Sequence, residues 1–289
     1  LTGVVKDSTG AVMAGAEITA TQTQRNQVFH TASDQDGRYV LQNLPVGAYE
    51  VLGRADGFKM FRQTGVELTV DLKGLLNITL ELGNVSEGVQ VEGQVSRVDT
   101  ESATIQQLVD AKRVVDLPLN GRDVYQLSTL VAGTGKSGFN INGGRGFDRD
   151  AGANVRLDGA LNVEQSFLRL LPAPSPDAVQ EFTIQPSVPS AKYAYSGGVI
   201  EIATKSGTNE LHGTAYEFLR NDALDARNFF SPNKTKRRRN QYGVAAGGPV
   251  RVPGYDGRNR TFWFFNFEQQ KERLGSVTTT FVPTAPQLE

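Results

Sequence analysis

The sequence predicts a mainly β protein in three consecutive parts: a β-sandwich, an α+β domain, and the first strands of a larger sheet. Three observations carry this prediction. Residues 1–82 contain short stretches of alternating apolar and polar residues, separated by Gly, Asp, Asn and Pro. Residues 99–206 mix helical and strand periodicity. Residues 207–289 contain longer alternating stretches rich in aromatic side chains.

Composition excludes several classes of function. Among 289 residues, 30 are Lys or Arg and 31 are Asp or Glu, so no global positive charge favours a nucleic-acid partner. The absence of cysteine excludes disulfides and thiolate chemistry. With only two histidines, His30 and His212, a multi-histidine metal centre is not expected, and we predict no cofactor. No apolar run reaches the roughly 20 residues of a spanning helix.

The first part, residues 1–82, contains seven candidate strands. They are TGVVKD, AEITATQT, QVFHTAS, RYVLQNL, AYEVLGRA, KMFRQTGVEL and LLNITLEL. In the last of these, Leu76, Ile78, Leu80 and Leu82 lie on one face. Leu1 already lies inside a strand, so we expect the true N-terminus to lie upstream. Asp34 and Asp36 could suggest a calcium loop, but Pro45 stands where its closing Glu is needed, which favours a turn.

Residues 83–98 lose the turn residues and alternate weakly around Val85, Val89, Val91 and Val95. A period-two valine pattern of this kind fits a linker between domains. It fits one more edge strand equally well.

The second part, residues 99–206, begins with a predicted helix over TIQQLVDAKRVVDLP that ends at Pro118. A second helix is predicted from the spacing of Val124, Leu127 and Val131. Ser175 is expected to cap a short helix with Pro176 at its first position. EFTIQ and VIEIATK are predicted as the last strands. AGTGKSG is not a P-loop, because Leu130 occupies the position of the first glycine.

The third part, residues 207–289, contains the candidate strands HGTAYEFLR, NQYGVAAGGPV and RTFWFFNFEQQKER. In the last one Trp263, Phe265 and Phe267 alternate with a second set that becomes polar at Asn266 and Glu268. This pattern predicts a lipid-facing aromatic row, and the alternative is a buried strand of a soluble protein. A basic run is predicted to form a solvated hairpin turn: Lys234, Lys236, Arg237, Arg238 and Arg239.

Several of these motifs resemble those of one family. TKSGTNELHGTAYEFLRND, NQYG, AAGGPV and RTFWFFNFE resemble the plug-to-barrel junction of TonB-dependent outer-membrane receptors of the Oar-like branch. SDQDGRY, LPVGAY and ADGF resemble the carboxypeptidase regulatory-like, transthyretin-like domain, and LPLNGR, GGR and LDG resemble the plug. The resemblance implies an accessory sandwich at 1–82, a linker at 83–98, a plug at 99–206 and a truncated transmembrane β-barrel at 207–289.

The resemblance also implies a function and its partners. Val89, Gln90 and Val91 would belong to a TonB box, the extended segment that a periplasmic TonB-type energy transducer captures by strand addition. Outer-membrane lipid would surround the barrel, and the N-terminal domain would lie in the periplasm of a Gram-negative-type bacterium. The solute stays unidentified among carbohydrates, peptides and metal chelates. No catalytic residue is implied, so we do not expect an enzyme. The alternative is a secreted β-sandwich adhesion or interaction protein without transport activity.

Overall fold

In a computed structural model, the protein is mainly β, as predicted. The residues that the structure describes are 1–70, 74–83, 88–92, 107–134, 141, 154–164, 169–186, 193, 198–227, 229 and 234–275. The GGR signature and most of AGTGKSG lie outside them. Within the described residues, no helix is long and apolar enough to cross a membrane.

Eight strands form the N-terminal part, which we call the accessory domain. They are β1 (Thr2–Asp7), β2 (Glu17–Gln22), β3 (Gln27–Ala32), β4 (Arg38–Val40), β5 (Gly47–Arg54), β6 (Met60–Leu68), β7 (Ile78–Leu80) and β8 (Gly88–Glu92). One sheet has the order β4-β1-β7 and the other has the order β3-β2-β5-β6-β8. The second sheet therefore includes a strand beyond residue 82, within the segment predicted as a linker or an edge strand.

Alternation along the strands of the accessory domain produces one buried cluster. It includes Ile18, Tyr39, Tyr49, Ile78 and Leu80, all almost completely buried. The Tyr39 hydroxyl donates a hydrogen bond of 2.6 Å to the Leu76 carbonyl, so a polar atom in this core is satisfied. Leu82, predicted to share the face of Ile78, is instead 69% exposed because β7 ends at Leu80.

Strand β1 approaches the chain at residue 76 so closely that only glycine fits at position 3. A Cβ atom on Gly3 would lie 1.8 Å from the Leu76 carbonyl oxygen and 2.8 Å from the Tyr39 ring. Both neighbours are fixed, one by the backbone and the other by its hydrogen bond to the same carbonyl. Gly3 therefore sets the contact between the start of the chain and the core.

The following part, which we call the plug-like part, is a mixed sheet with short helices. Its elements are β9 (Gln107–Asp110), α1 (Ala111–Asp116), β10 (Asn154–Leu157), β11 (Ala160–Leu161), β12 (Val163–Glu164), β13 (Arg169–Leu170), β14 (Val179–Gln185), β15 (Val199–Thr204) and 3₁₀ turns at Asn120–Arg122, Val124–Leu130 and Pro176–Ala178. The main sheet has the order β11-β10-β15-β14-β9, and β12 pairs with β13. Val114, Leu127, Phe182 and Ile202 belong to its buried cluster.

The long first helix predicted for the plug-like part is wrong. Residues 107–110 form strand β9, which pairs antiparallel with β14, and within the described residues of this stretch the helix is limited to Ala111–Asp116. The Asp110 carboxylate accepts a 2.9 Å hydrogen bond from the Arg113 amide, so it caps the helix at the point where the strand ends. Sheet pairing thus overrides the local helical periodicity in the first half of the stretch.

Two other helix predictions need smaller corrections. The second predicted helix is a 3₁₀ helix in which Val124 and Leu127 are fully buried, and Val131 lies just after its end. Pro176 occupies the first turn of the third short helix as predicted, but the Ser175 side chain makes no capping hydrogen bond.

The remaining strands are β16 (His212–Asn221), β17 (Arg237–Pro249), β18 (Arg251–Val252), β19 (Tyr255–Asp256) and β20 (Phe262–Leu274). The chain divides into two compact units, Leu1–His212 with Gly247–Phe264, and Gly213–Ala246 with Phe265–Glu289. The second unit is built on the three long strands, in the order β16-β17-β20.

The basic run is not a solvated turn throughout. Arg237, Arg238 and Arg239 form the first residues of β17. Arg237 Nε and Arg239 Nη2 lie 2.8 and 3.3 Å from the same oxygen, Oε1 of Glu272 on β20. Arg237 and Arg239 therefore pair with an acidic residue across the sheet, which favours the start of a strand in so basic a segment.

We predict that residues 1–92 fold without the rest of the chain. The buried cluster is contained in β1–β7, so a protein ending at residue 82 should also fold, with lower stability because β6 then loses β8 along one edge. Dispersed amide NMR spectra and urea unfolding of the two proteins test this. A collapsed amide spectrum of residues 1–92 would contradict the prediction.

Candidate functional site

The predicted TonB-box residues Val89, Gln90 and Val91 lie in β8. Their backbone pairs in parallel with β6, in the register Phe61↔Val89, Arg62↔Gln90 and Gln63↔Val91. Among the described strands, β8 is an outer one of its sheet, next to β6 in the order β3-β2-β5-β6-β8. The segment therefore already uses one of its two backbone edges within its own chain.

A buried carboxylate joins the accessory domain to the plug-like part. Glu181 lies in β14 and is 6% exposed, and its Oε1 accepts a 2.8 Å hydrogen bond from the Val70 amide, just beyond β6. The Thr183 hydroxyl donates to the same oxygen at 3.3 Å. Burial raises the pKa of the Glu181 carboxyl to about 7, and the neighbouring charge of Glu201 acts in the same direction.

Glu201 lies on the adjacent strand β15 and has its own partners. The Tyr193 hydroxyl donates a 2.6 Å hydrogen bond to its Oε1, and Arg156 Nε lies 3.9 Å from the same carboxylate. A cavity of about 330 Å³ lies beside these groups and is also lined by Val70. Two carboxylates on neighbouring strands therefore occupy the region where the accessory domain contacts the plug-like sheet.

The β2–β3 turn of the accessory domain contacts the segment between β15 and β16. The Gln24 carbonyl accepts a 3.0 Å hydrogen bond from the Asn209 amide. Arg25 Nε donates to the Gly207 carbonyl at 3.1 Å, and its guanidinium lies 5.7 Å from the centre of the Phe262 ring. A Cβ atom on Gly207 would lie 2.3 Å from the Trp263 carbonyl oxygen, so a side chain does not fit there.

Three asparagines complete this contact. Asn259 Oδ1 accepts hydrogen bonds from Asn26 Nδ2 at 3.0 Å and from Asn209 Nδ2 at 2.7 Å. The Asn259 amide donates to Asn209 Oδ1 at 2.7 Å. Asn259 has φ of 60°, a left-handed conformation that asparagine tolerates better than most residues. The junction SGTN is thus held by backbone and amide contacts rather than by a hydrophobic core.

The predicted lipid-facing residues lie on one side of β20. Trp263, Phe265 and Phe267 are 37%, 54% and 47% exposed, while the residues between them are half-buried. In the second unit, the Tyr216 hydroxyl and Gln241 Nε2 each donate a 2.8 Å hydrogen bond to Glu268. The sheet thus has an aromatic side and a polar network, the pattern on which the lipid-facing prediction depends.

Sequence reasoning missed Glu181 and the junction contacts of Arg25 and Asn259. A signal for Glu181 exists in the sequence: it is the one charged residue of the stretch EFTIQ, and a buried charge must be paired if that strand lies in a core. No group of acidic or histidine side chains in the described part of the chain could hold a metal ion.

Comparisons with known proteins match both ends of the chain. The model of a carboxypeptidase regulatory-like domain matches residues 1–81, and that of an outer membrane beta barrel domain matches residues 203–289. The chain is 23% identical over 256 residues to the TonB-dependent transporter Oar of Myxococcus xanthus. This similarity covers 82% of the chain but only 24% of that relative, so the chain spans about a quarter of its length.

We predict that replacing Glu181 by Gln removes a pH dependence of stability. The folded-state pKa of Glu181 is raised from 4.5 to about 7, so the folded state holds this proton more tightly than the unfolded state. The resulting stability is complete below pH 4.5 and is lost as the pH rises through about 7. The loss is on the order of 3 kcal/mol.

Urea unfolding of residues 1–206 across this pH range measures the effect. Glu181→Gln should be more stable than the unmodified protein above neutral pH, because the amide oxygen still accepts from Val70 without a buried charge. Glu17→Gln, at an exposed position of β2, is the control. Parallel pH profiles for the Glu181→Gln and unmodified proteins would contradict the assignment.

Proposed function

We propose that this TonB-dependent receptor-like chain, with its carboxypeptidase regulatory-like and outer-membrane β-barrel domains, acts in the uptake of a scarce solute across the outer membrane. The resemblance predicted from its motifs is confirmed by the matches at both ends. These matches belong to an outer-membrane transporter family and to non-catalytic domains, so the chain is not assigned to an enzyme class. In the proposed arrangement the plug-like part gates the barrel and the accessory domain lies in the periplasm.

The change of strand environment after β15 is the observation that carries this proposal. Strand β15 is buried on both faces over Val199–Thr204, except for its last residue. Strand β16 begins at His212 and is exposed along most of its length. A short junction thus separates a strand buried inside a domain from a strand that is largely exposed, as expected where a plug is followed by the first strand of a barrel.

The order of strands supports gating by a pull from the N-terminal side. Strand β9 is the first described strand after the β8 segment, and it lies at the edge of the plug-like sheet. Among the described strands it pairs with β14 alone, over four residue pairs from Glu181↔Asp110 to Ile184↔Gln107. A force on the β8 segment would reach this edge strand before the other described strands of the plug-like sheet, and an edge strand separates without breaking the rest of the sheet.

The proposed transducer contact predicts a specific defect in variants of β8. Val89→Pro and Val91→Pro each remove a backbone donor and should reduce uptake strongly, while binding of the solute at the cell surface persists. Val89→Ala and Val91→Ala keep the backbone donors and serve as controls. Whole-cell uptake and surface binding of labelled solute are measured in parallel. An equal loss of uptake and binding would refute the assignment of the segment.

The barrel assignment predicts different solubility for two lengths of the chain. Trp263, Phe265 and Phe267 expose aromatic surface on β20, so the chain through residue 289 should aggregate in water and need detergent. A chain ending at Lys205 should be markedly more soluble. Size-exclusion chromatography compares them, and the single tryptophan reports on β20 by its fluorescence. Two monomeric proteins of equal solubility, with a buried indole at Trp263, would favour the secreted adhesion protein instead.

A further inference from the structure

The pairing of β8 with β6 limits how a transducer can bind the candidate TonB-box segment. All three candidate box residues lie within the five residue pairs that join Gly88–Glu92 to β6. A strand that captures the segment needs a backbone edge of β8, and one edge is occupied in the free protein. The accessory domain and the transducer are therefore potential competitors for the same backbone.

Pairing with β8 also satisfies the backbone edge of β6. Six of its nine residues pair with β5 on one side, and residues 60–64 pair with β8 on the other. Phe61 and Gln63 are almost fully buried, so this end of β6 belongs to the packed core. Without β8, the N–H and C=O groups along this edge would be left to water or to a strand from another molecule.

We propose that the accessory domain holds the transducer-binding segment in cis as strand β8, and that the transducer captures it only after the segment leaves β6. This inference rests on the proposed function, because it concerns regulation of the same segment. Because β8 is paired with β6 in most molecules, the transducer can bind only the minor fraction in which β8 is released. The apparent affinity for the transducer is reduced in proportion to that fraction.

Release of β8 does not require the accessory domain to leave the plug-like part. The Val70–Glu181 hydrogen bond and the contact of Gln24 with Asn209 both lie outside the β6–β8 pairing. Parallel pairing over five residues is also a small interaction compared with the buried cluster of the domain. The segment can therefore exchange partners while both folded parts stay in place.

A reversible crosslink tests this proposal. The chain has no cysteine, so Arg62→Cys with Gln90→Cys introduces a single pair, at positions that are Cα partners in the β6–β8 register. Facing residues on neighbouring strands lie roughly 5 Å apart, within the range that a disulfide spans. Arg62 is exposed, and its ion pair with Glu50 is a surface contact whose loss should matter little.

We expect the full-length double variant in outer membranes to form the crosslink on mild oxidation. The oxidised protein should bind the purified periplasmic domain of a TonB-type transducer about tenfold more weakly or worse, and uptake should stop. Reduction should restore both. The controls are the two single variants and Thr19→Cys with His30→Cys, which joins β2 to β3 at a side-chain contact of 3.1 Å without touching β8.

The outcomes separate this proposal from the function on which it rests. Failure of the double variant Arg62→Cys with Gln90→Cys to crosslink, where the β2–β3 control does crosslink, would overturn the cis pairing. Normal transducer binding by the oxidised protein would overturn the need for release, because the transducer would then bind β8 without displacing it from β6. Absence of transducer binding by the unmodified protein would overturn the proposed function, and this proposal with it.

Discussion

Every β-strand has two backbone edges that need hydrogen-bond partners, and the structure of this chain depends on how those edges are occupied. In the accessory domain, β8 covers the edge that β6 would otherwise expose. In the plug-like sheet, β9 covers β14 and is itself the outer strand. The strand at the proposed point of traction and the next described strand along the chain are thus both edge strands, the class of strand that can be removed with least damage to the sheet behind it.

The accessory domain and the plug-like part are joined by polar contacts rather than by a shared apolar core. Their apolar residues form two separate buried clusters. Between them lie the Val70–Glu181 hydrogen bond and the contacts of the β2–β3 turn with the Gly207 junction. Each such hydrogen bond holds the two parts in a defined orientation but contributes only modestly to the free energy of unfolding. One of them involves the Glu181 carboxyl, whose charge changes near neutral pH. The attachment between these parts therefore depends on pH through the Glu181 carboxyl.

The sequence alone is sufficient to predict the strands that depend on local periodicity. Strands β1, β5 and β6 match the predicted stretches closely, because alternation and turn residues define them without reference to the rest of the chain. The stretch at 107–110 was misread because its pairing with β14 is a tertiary contact. Glu181 was missed for the same reason, since its partner Val70 lies 111 positions away in the sequence. The role of Arg237 at the start of β17 depends likewise on Glu272 across the sheet.

The hydrogen bond between Asn26 and Asn259 joins residues 233 positions apart, and it has a consequence for the order of folding. Closing so long a loop carries a large loss of chain entropy, which one amide hydrogen bond does not offset. The contact can form only after the β2–β3 turn and the turn at residue 259 have been brought together by their own folded surroundings. It is therefore a late contact, made when the chain on both sides of the junction is already in place.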